Sequence, residues 1–177
     1  MKITVITGSA RKSGGSARLA EEFIKGAEEK GHEIYRFDAS KEDVHICVGC
    51  NHCGMGEREC VFNDKFAELR ENLLSSDVIV FATPLYYWFS SQIKKVIDRF
   101  YSINTQLTNK KMKAILLSSQ HDTGTETVNS LIMHYSYILK WLQMENIGTV
   151  NAMGVLNGTD LDNTDYLKKA YNLGKEI

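Results

Sequence analysis

The residues with the clearest capacity for chemistry are four cysteines confined to one short segment. They are Cys47, Cys50, Cys53 and Cys60, and the chain of 177 residues contains no others. The spacing C-x2-C-x2-C matches the first three ligands of a common iron–sulfur motif, although the final gap of six residues is longer and no proline follows. Four thiolates satisfy the ligand count of one [4Fe–4S] cluster.

Two other roles for these cysteines stay open on the residues alone. Structural zinc also accepts four thiolates, but usually as two pairs separated by a longer loop. A redox-active dithiol would use Cys47 with Cys50, or Cys50 with Cys53. The sequence shows no export signal and no membrane-spanning segment, so we expect a cytoplasmic protein with reduced thiols.

A segment rich in glycine and serine, residues 8–16, has the composition of an anion-binding loop. It contains three glycines, the hydroxyls of Ser9, Ser13 and Ser16, and the guanidinium of Arg11. It lies between a predicted strand and a predicted helix, where free backbone N–H groups and the helix dipole attract phosphate. Neither G-x-x-x-x-G-K-[ST] nor G-x-G-x-x-G is present here. The alternative is a flexible turn, but the position after the first strand favours phosphate binding.

Four consecutive aromatic residues, Tyr86 to Phe89, follow the most apolar predicted strand. Pro84 precedes them and argues against an extension of that strand, because proline lacks a donor for the strand ladder. Rings gathered in a loop at a strand end suit a planar ligand, although some of the four are expected to pack inward or against a second subunit. A phosphate at the first loop and a flat ring at this one together describe flavin mononucleotide (FMN).

The elements that must position these loops alternate along the chain. Strands are predicted at 2–7, 32–37, 77–83, 112–117 and 149–155, and helices at 16–30, after a cap at Asn63 or Asp64, at 92–102, at 127–145 and from about 162 onward. This alternation predicts an α/β fold, a doubly wound parallel sheet of five strands with helices on both faces. Ligands of such sheets bind beyond the carboxyl ends of the strands, where both loops lie.

Composition and charge are those of an ordinary globular domain. Hydrophobic residues make up 43% of the chain and charged residues 24%, and the formal net charge is −1. No basic block is present, so we expect neither nucleic acid nor a membrane surface as a partner. The length and the lack of linkers predict one domain, residues 1–177, with a cysteine-rich insertion at about 45–62.

Three stretches make the sequence resemble the flavodoxin-like NAD(P)H-dependent FMN reductases, and among them the iron–sulfur flavoproteins. They are G-S-A-R-K-S-G-G-S-A-R-L (8–19), C-V-G-C-N-H-C-G-M-G-E-R-E-C (47–60) and S-D-V-I-V-F-A-T-P-L-Y-Y-W-F-S-S-Q-I-K-K-V-I-D-R-F (76–100). The last is the most specific, since the family usually shows T-P-x-Y and then a segment like S-x-Q-x-K-x-x-I-D-R. The first loop departs from the family pattern, because Ala10 replaces a proline and Gly15 replaces an asparagine.

The resemblance implies strand order 2-1-3-4-5 and an FMN site made by three loops. The residues concerned are Ser9, Arg11, Ser16 and Ala17 around the phosphate, with Ser13 as a further donor; Pro84, Leu85, Tyr86, Tyr87 and Trp88 beside the isoalloxazine ring; and the loop Ser118 to Gly124, including Ser119, over another part of the flavin. In that loop His121 and Asp122 are candidates to donate to the ring or relay a proton, the alternative being two solvated loop residues.

The resemblance further implies that the four cysteines hold one [4Fe–4S] cluster. Some relatives keep cysteines in this region without a cluster, so the alternative is a segment that shapes the flavin pocket or a subunit contact. The resemblance also implies a homodimer or homotetramer.

These inferences predict an FMN-dependent oxidoreductase that takes electrons from NAD(P)H and passes them to a quinone, a flavin or another acceptor. The flavin N5 carries the hydride, so no side chain is assigned as the catalytic residue. One nucleotide site for two substrates predicts ping-pong kinetics. The alternatives are an electron carrier for ferredoxin-like partners and a binding module that lacks the cofactor.

Overall fold

The computed structural model describes all 177 residues and contains one sheet of five parallel strands. The strands are β1 (Lys2–Thr7), β2 (Glu33–Asp38), β3 (Val78–Pro84), β4 (Lys113–Ser119) and β5 (Glu145–Ala152), in the order 2-1-3-4-5. The helices are α1 (Gly15–Glu29), α2 (Phe66–Ser75), α3 (Ser91–Arg99), α4 (Asn104–Lys110), α5 (Thr125–Leu142) and α6 (Tyr166–Glu176), with 3-10 helices at Phe100–Ile103 and Gly158–Asn163. The predicted flavodoxin-like fold is confirmed.

Helices cover both faces of the sheet and create two apolar cores. Helices α1 and α6 pack on one face, where Val5 and Val80 are buried. Helices α2 to α5 pack on the other face, where Ile6 and Phe81 are buried. Strand β3 is buried from Val78 to Thr83, which explains its apolar run on both faces.

Two glycines bring helices α1 and α6 into backbone contact. A Cβ atom added at Gly26 would collide with the carbonyl oxygen of Tyr171, and one added at Gly174 would collide with that of Phe23. The helices can approach this closely only because neither position carries a side chain.

The helix predicted over 127–145 and the strand predicted over 149–155 have wrong boundaries. The helix ends at Leu142, because Gln143 takes the left-handed conformation with φ of 53°. Strand β5 then begins at Glu145 and ends at Ala152. The loop that follows β5 therefore starts three residues earlier than predicted.

The connection from β2 to α2, residues 39–65, contains all four cysteines and no regular helix or strand. It joins the edge strand β2 to α2, which packs on the same face of the sheet as α3 to α5. None of the helices combines the length and apolar character needed to cross a lipid bilayer.

Candidate functional site

A cleft opens at the carboxyl edge of the sheet, beside the point where the strand order reverses between β1 and β3. Its lining residues are Ser9, Arg11, Gly14, Gly15 and Ser16 after β1, Pro84, Leu85 and Tyr86 at the end of β3, Ser119, Gln120 and His121 at the end of β4, and Val155 and Leu156 after β5. Ligand sites of doubly wound sheets lie at this position. The structure thus brings the three predicted loops together and adds a fourth.

Ser16 is the residue of the first loop that most clearly lacks a partner. It is 1% exposed, and its hydroxyl makes no hydrogen bond within the protein. It occupies the first turn of α1, where backbone N–H groups are free and the helix dipole is positive. A buried hydroxyl without a partner is destabilising, and a bound anion would satisfy it. This end of the cleft therefore fits the phosphate of FMN.

The glycines of the first loop allow close approach of its backbone. A Cβ atom at Gly15 would lie 2.8 Å from the side chains of Ser119 and Val155, and one at Gly14 would lie 2.6 Å from the Ser9 hydroxyl. No larger side chain fits at position 15 without rearrangement. The packing against Ser119 and Val155 accounts for glycine where the family often has asparagine.

The aromatic loop divides its rings among three environments. Tyr86 lines the cleft and is 64% exposed, whereas Tyr87, at 90%, and Trp88, at 52%, are exposed without lining it. Phe89 is buried and packs 5.9 Å, between ring centroids, from Phe81. Trp88 has a φ of 69°, in the left-handed region that a bulky side chain rarely adopts. The structure does not place Tyr87 and Trp88 beside the cleft.

Gln120 supplies a second unpaired polar group to the cleft. It is buried, and its Nε2 donates to the carbonyls of Asp122 at 2.9 Å and Gly124 at 3.0 Å. Its Oε1 is buried without a partner. Because two donated bonds fix the amide, this oxygen is a pre-oriented acceptor for a donor on a bound ligand.

Asp122 has a structural role at the start of α5. It accepts hydrogen bonds from the Gly124 N–H at 2.9 Å and the Thr127 hydroxyl at 2.8 Å. These bonds lower the pKa of Asp122 and keep it ionised. Asp122 does not line the cleft, whereas His121 lines it and is exposed.

Several predicted residues lie outside the cleft lining. They are Ser13, Ala17, Tyr87, Trp88, Ser118, Asp122 and Gly124. Ser118, for example, donates to Asn151 Oδ1 at 2.7 Å instead. The prediction named Gln120 only as a member of the loop after β4, and it did not name Gly14, Gly15, Val155 or Leu156 as binding residues. Val155 and Leu156 lie in the loop after β5. Had the end of β5 been predicted correctly, this loop would have been expected at the ligand edge of the sheet.

A separate cavity of about 250 Å³ is lined by all four cysteines. Cys47 and Cys50 are exposed, Cys53 and Cys60 are half-buried, and all four are free thiols. The cavity has room for many water molecules, since on this measure of volume one water needs roughly 10–15 Å³. Yet no three histidine, cysteine or acidic side chains stand close enough to hold a single metal ion. The cysteines therefore surround one space without forming a compact zinc-like site.

Fold and cleft together define a flavin-dependent oxidoreductase, and comparison with known families agrees. Residues 1–153 match the family model described as NADPH-dependent FMN reductase, and the chain belongs to this family. The predicted resemblance is confirmed, and the protein is an NAD(P)H-dependent FMN oxidoreductase.

Similar proteins include iron–sulfur flavoproteins and a quinone oxidoreductase. An iron–sulfur flavoprotein of Archaeoglobus fulgidus is 29% identical over 180 residues, which span 100% of this chain and 79% of the relative. One of Methanosarcina thermophila is 31% identical over 136 residues, or 74% of this chain and 71% of the relative. The structure of an NAD(P)H:quinone oxidoreductase from Methanothermobacter marburgensis superposes with a TM-score of 0.76 at 16% identity, covering 99% of this chain and 94% of that one.

Proposed function

We propose that the protein takes electrons from NAD(P)H and passes them to a quinone, a free flavin or another small acceptor at the cleft. The observation that carries this proposal is the buried, unpaired hydroxyl of Ser16 at the first turn of α1. When bound there, FMN supplies the capacity to accept a hydride and pass electrons onward.

The residues of the cleft then have distinct tasks. Ser16, Arg11 and the N–H groups at the start of α1 hold the phosphate and offset its charge. The unpaired Gln120 oxygen orients the ligand through one hydrogen bond. Leu85 and Tyr86 add apolar surface to one side of the cleft, which suits flat aromatic acceptors.

The test is anaerobic reduction of the bound flavin by NADH and by NADPH, followed by absorbance near 450 nm in a stopped-flow instrument. We expect at least one nucleotide to bleach the flavin. With a quinone as acceptor, initial-rate plots should be parallel, because both substrates would use one cleft in turn. Failure of both nucleotides to bleach the flavin would refute the proposal.

A second candidate is an electron carrier that couples FMN to a [4Fe–4S] cluster and exchanges electrons with ferredoxin-like proteins. It is favoured by the cavity that all four cysteines line and by the names of the relatives. Anaerobically purified protein should then contain about four irons per chain. Reduction by a ferredoxin system, but not by nicotinamides, would favour the carrier over the reductase.

We further propose that the chain assembles as a homodimer or homotetramer. Large apolar side chains are exposed along α5 and the 3-10 helix beside it, namely Met133, Tyr137, Trp141 and Tyr101. Several of them line one shallow groove together with Ile97 and Ile138. An exposed apolar surface of this kind is typical of a protein contact.

A further inference from the structure

Arg99 joins the two ends of the cysteine segment. It is 1% exposed, and its Nη1 donates to the His45 carbonyl at 3.0 Å and to Asp64 Oδ2 at 2.7 Å. Its Nη2 lies 3.3 Å from Asp64 Oδ1 and 3.4 Å from the Phe62 carbonyl. His45 lies two residues before Cys47, and Phe62 lies two residues after Cys60. One guanidinium therefore fixes the distance between the two ends of the segment.

Neighbouring groups hold this arrangement in place. The Arg99 guanidinium carbon lies 4.8 Å from the ring centroid of Phe66 and 5.4 Å from that of Phe62. The His45 ring stacks on Phe62 at 4.8 Å, and the His45 backbone N–H donates to Asp64 at 2.9 Å. With these contacts the planar guanidinium has one orientation, which an ammonium group could not reproduce.

The Arg99–Asp64 ion pair fixes the geometry of the segment without adding net charge to it. Asp64 and Arg99 have side chains 4% and 1% exposed, so the carboxylate neutralises the guanidinium where water cannot. Arg99 also lines the cysteine cavity, and its Nε is buried without a hydrogen-bond partner. The pair thus adds no net charge to the cavity, but it leaves one donor free at its wall.

A second anchor holds the middle of the segment. The Thr105 N–H and hydroxyl donate to the Met55 carbonyl at 3.1 and 2.9 Å, and Gln106 Nε2 donates to the Gly56 carbonyl at 2.8 Å. Thr105 and Gln106 both belong to α4. Contacts from α3 and α4 thus fix the segment at its ends and its middle.

We propose that Arg99, together with Asp64, is the positioning residue of the cysteine centre, and that it closes the segment around the cavity before any group binds there. That a thiolate-bound cluster later occupies the cavity rests on the proposed function. Closure of the segment does not, because the contacts that produce it involve no cysteine.

The test compares Arg99→Met, Arg99→Lys and the double variant Arg99→Met/Asp64→Asn with the wild type. The double variant leaves no buried charge unpaired, so it serves if Arg99→Met alone does not fold. Arg70→Met is the matched control, because Arg70 also contacts the segment, through an exposed ion pair with Glu59 at 3.0 Å. FMN content serves as the check of folding.

The first measurement is amide hydrogen exchange of iron-free, FMN-loaded protein. Exchange over residues 46–61 should be about tenfold faster in all three Arg99 variants, and unchanged in β3 and in the Arg70→Met control. The second is iron content after anaerobic reconstitution, which should fall to less than about half of the wild-type value in the same variants.

If the folded variants exchanged the amide hydrogens of residues 46–61 as slowly as the wild type does, the proposal would be overturned. Full restoration by Arg99→Lys would also overturn it, because a charge alone would then suffice. A wild-type protein that takes up no iron would instead defeat the proposed cluster. In that case the exchange measurement would still decide the role of Arg99.

Discussion

Ser16 and Ser13 lie three residues apart in the first loop but differ in their surroundings. Ser16 is buried in the cleft without a partner, whereas Ser13 is exposed and does not line it. Ser16→Ala should weaken FMN binding about tenfold, since a hydrogen bond to a charged group contributes about 1.5–3 kcal/mol. Ser13→Ala should change the affinity less than about twofold. Titration followed by quenching of flavin fluorescence would reveal the difference, and equal losses would contradict this assignment.

Asp38 should make stability depend on acid pH. Burial would raise its pKa, but hydrogen bonds from Lys41, Thr7 and Arg36 outweigh it and lower the pKa from 3.8 to about 2. The resulting stabilisation is complete above the unfolded value and is lost as pH falls toward about 2. Because the carboxylate is partly exposed, solvent screening limits this stabilisation to about 1 kcal/mol. Urea unfolding at a series of pH values should show a shallower acid loss for Asp38→Asn. Identical pH dependence in variant and wild type would contradict the prediction.

Residue types located the functional loops but not the direction of each side chain. The hydroxyls and cations after β1 predicted an anion site, because they precede a helix start, where free N–H groups and the helix dipole attract an anion. The outward turn of Tyr87 and Trp88 could not be predicted in this way. It depends on a left-handed backbone at Trp88, which is unfavourable for a bulky residue and has no sequence signature.

At the scale of elements, the contact between α1 and α6 should tolerate no added atom. Gly174→Ala would place a methyl group against the backbone of α1 and should destabilise the protein by about 1–3 kcal/mol. Asn172→Ala, at an exposed position of the same helix, should be neutral or slightly stabilising because alanine favours helix. Urea denaturation of both variants measures the difference. A neutral Gly174→Ala would show that the helices can separate without loss.

The three central strands and the edge strand β2 were predictable, whereas the bounds of the other edge strand, β5, were not. β1, β3 and β4 read as apolar runs because both of their faces are covered, and their predicted bounds lie within about two residues of the structure. Strand β5 is a sheet edge and carries Asn146, Gly148 and Asn151, so its pattern is weak. The preceding helix α5 ends at Leu142 because Gln143 takes a left-handed conformation, and a glycine or asparagine at position 143 would have indicated that end.

At the scale of the molecule, the two cavities share no lining residue. Helix α3 separates them, since it begins after the aromatic loop and ends at Arg99, about 12 Å along its axis. The double variant Cys47→Ser/Cys60→Ser should therefore keep the wild-type FMN content while losing any iron that the proposed cluster site takes up. Flavin and iron quantitation on one anaerobic preparation would test this independence. Simultaneous loss of FMN would show that the cysteine segment also supports the cleft.

The exposed apolar side chains of α5 provide a test of assembly. Trp141 is 66% exposed, and Trp141→Glu would place a charge within the surface proposed for the contact. We expect light scattering after gel filtration to report a lower mass for this variant than for the wild type. Lys140→Ala, at the adjacent exposed position, should leave the mass unchanged. An unchanged mass for Trp141→Glu would place the contact elsewhere.

The chain has only two tryptophans, and both are exposed on different surfaces. Trp88 belongs to the loop whose Tyr86 lines the cleft, and Trp141 lies near the end of α5. Their intrinsic emission is thus a pair of built-in optical probes. In a Trp141→Phe background the remaining indole would report energy transfer to a nearby flavin, and in a Trp88→Phe background it would report solvent exclusion as neighbouring chains associate.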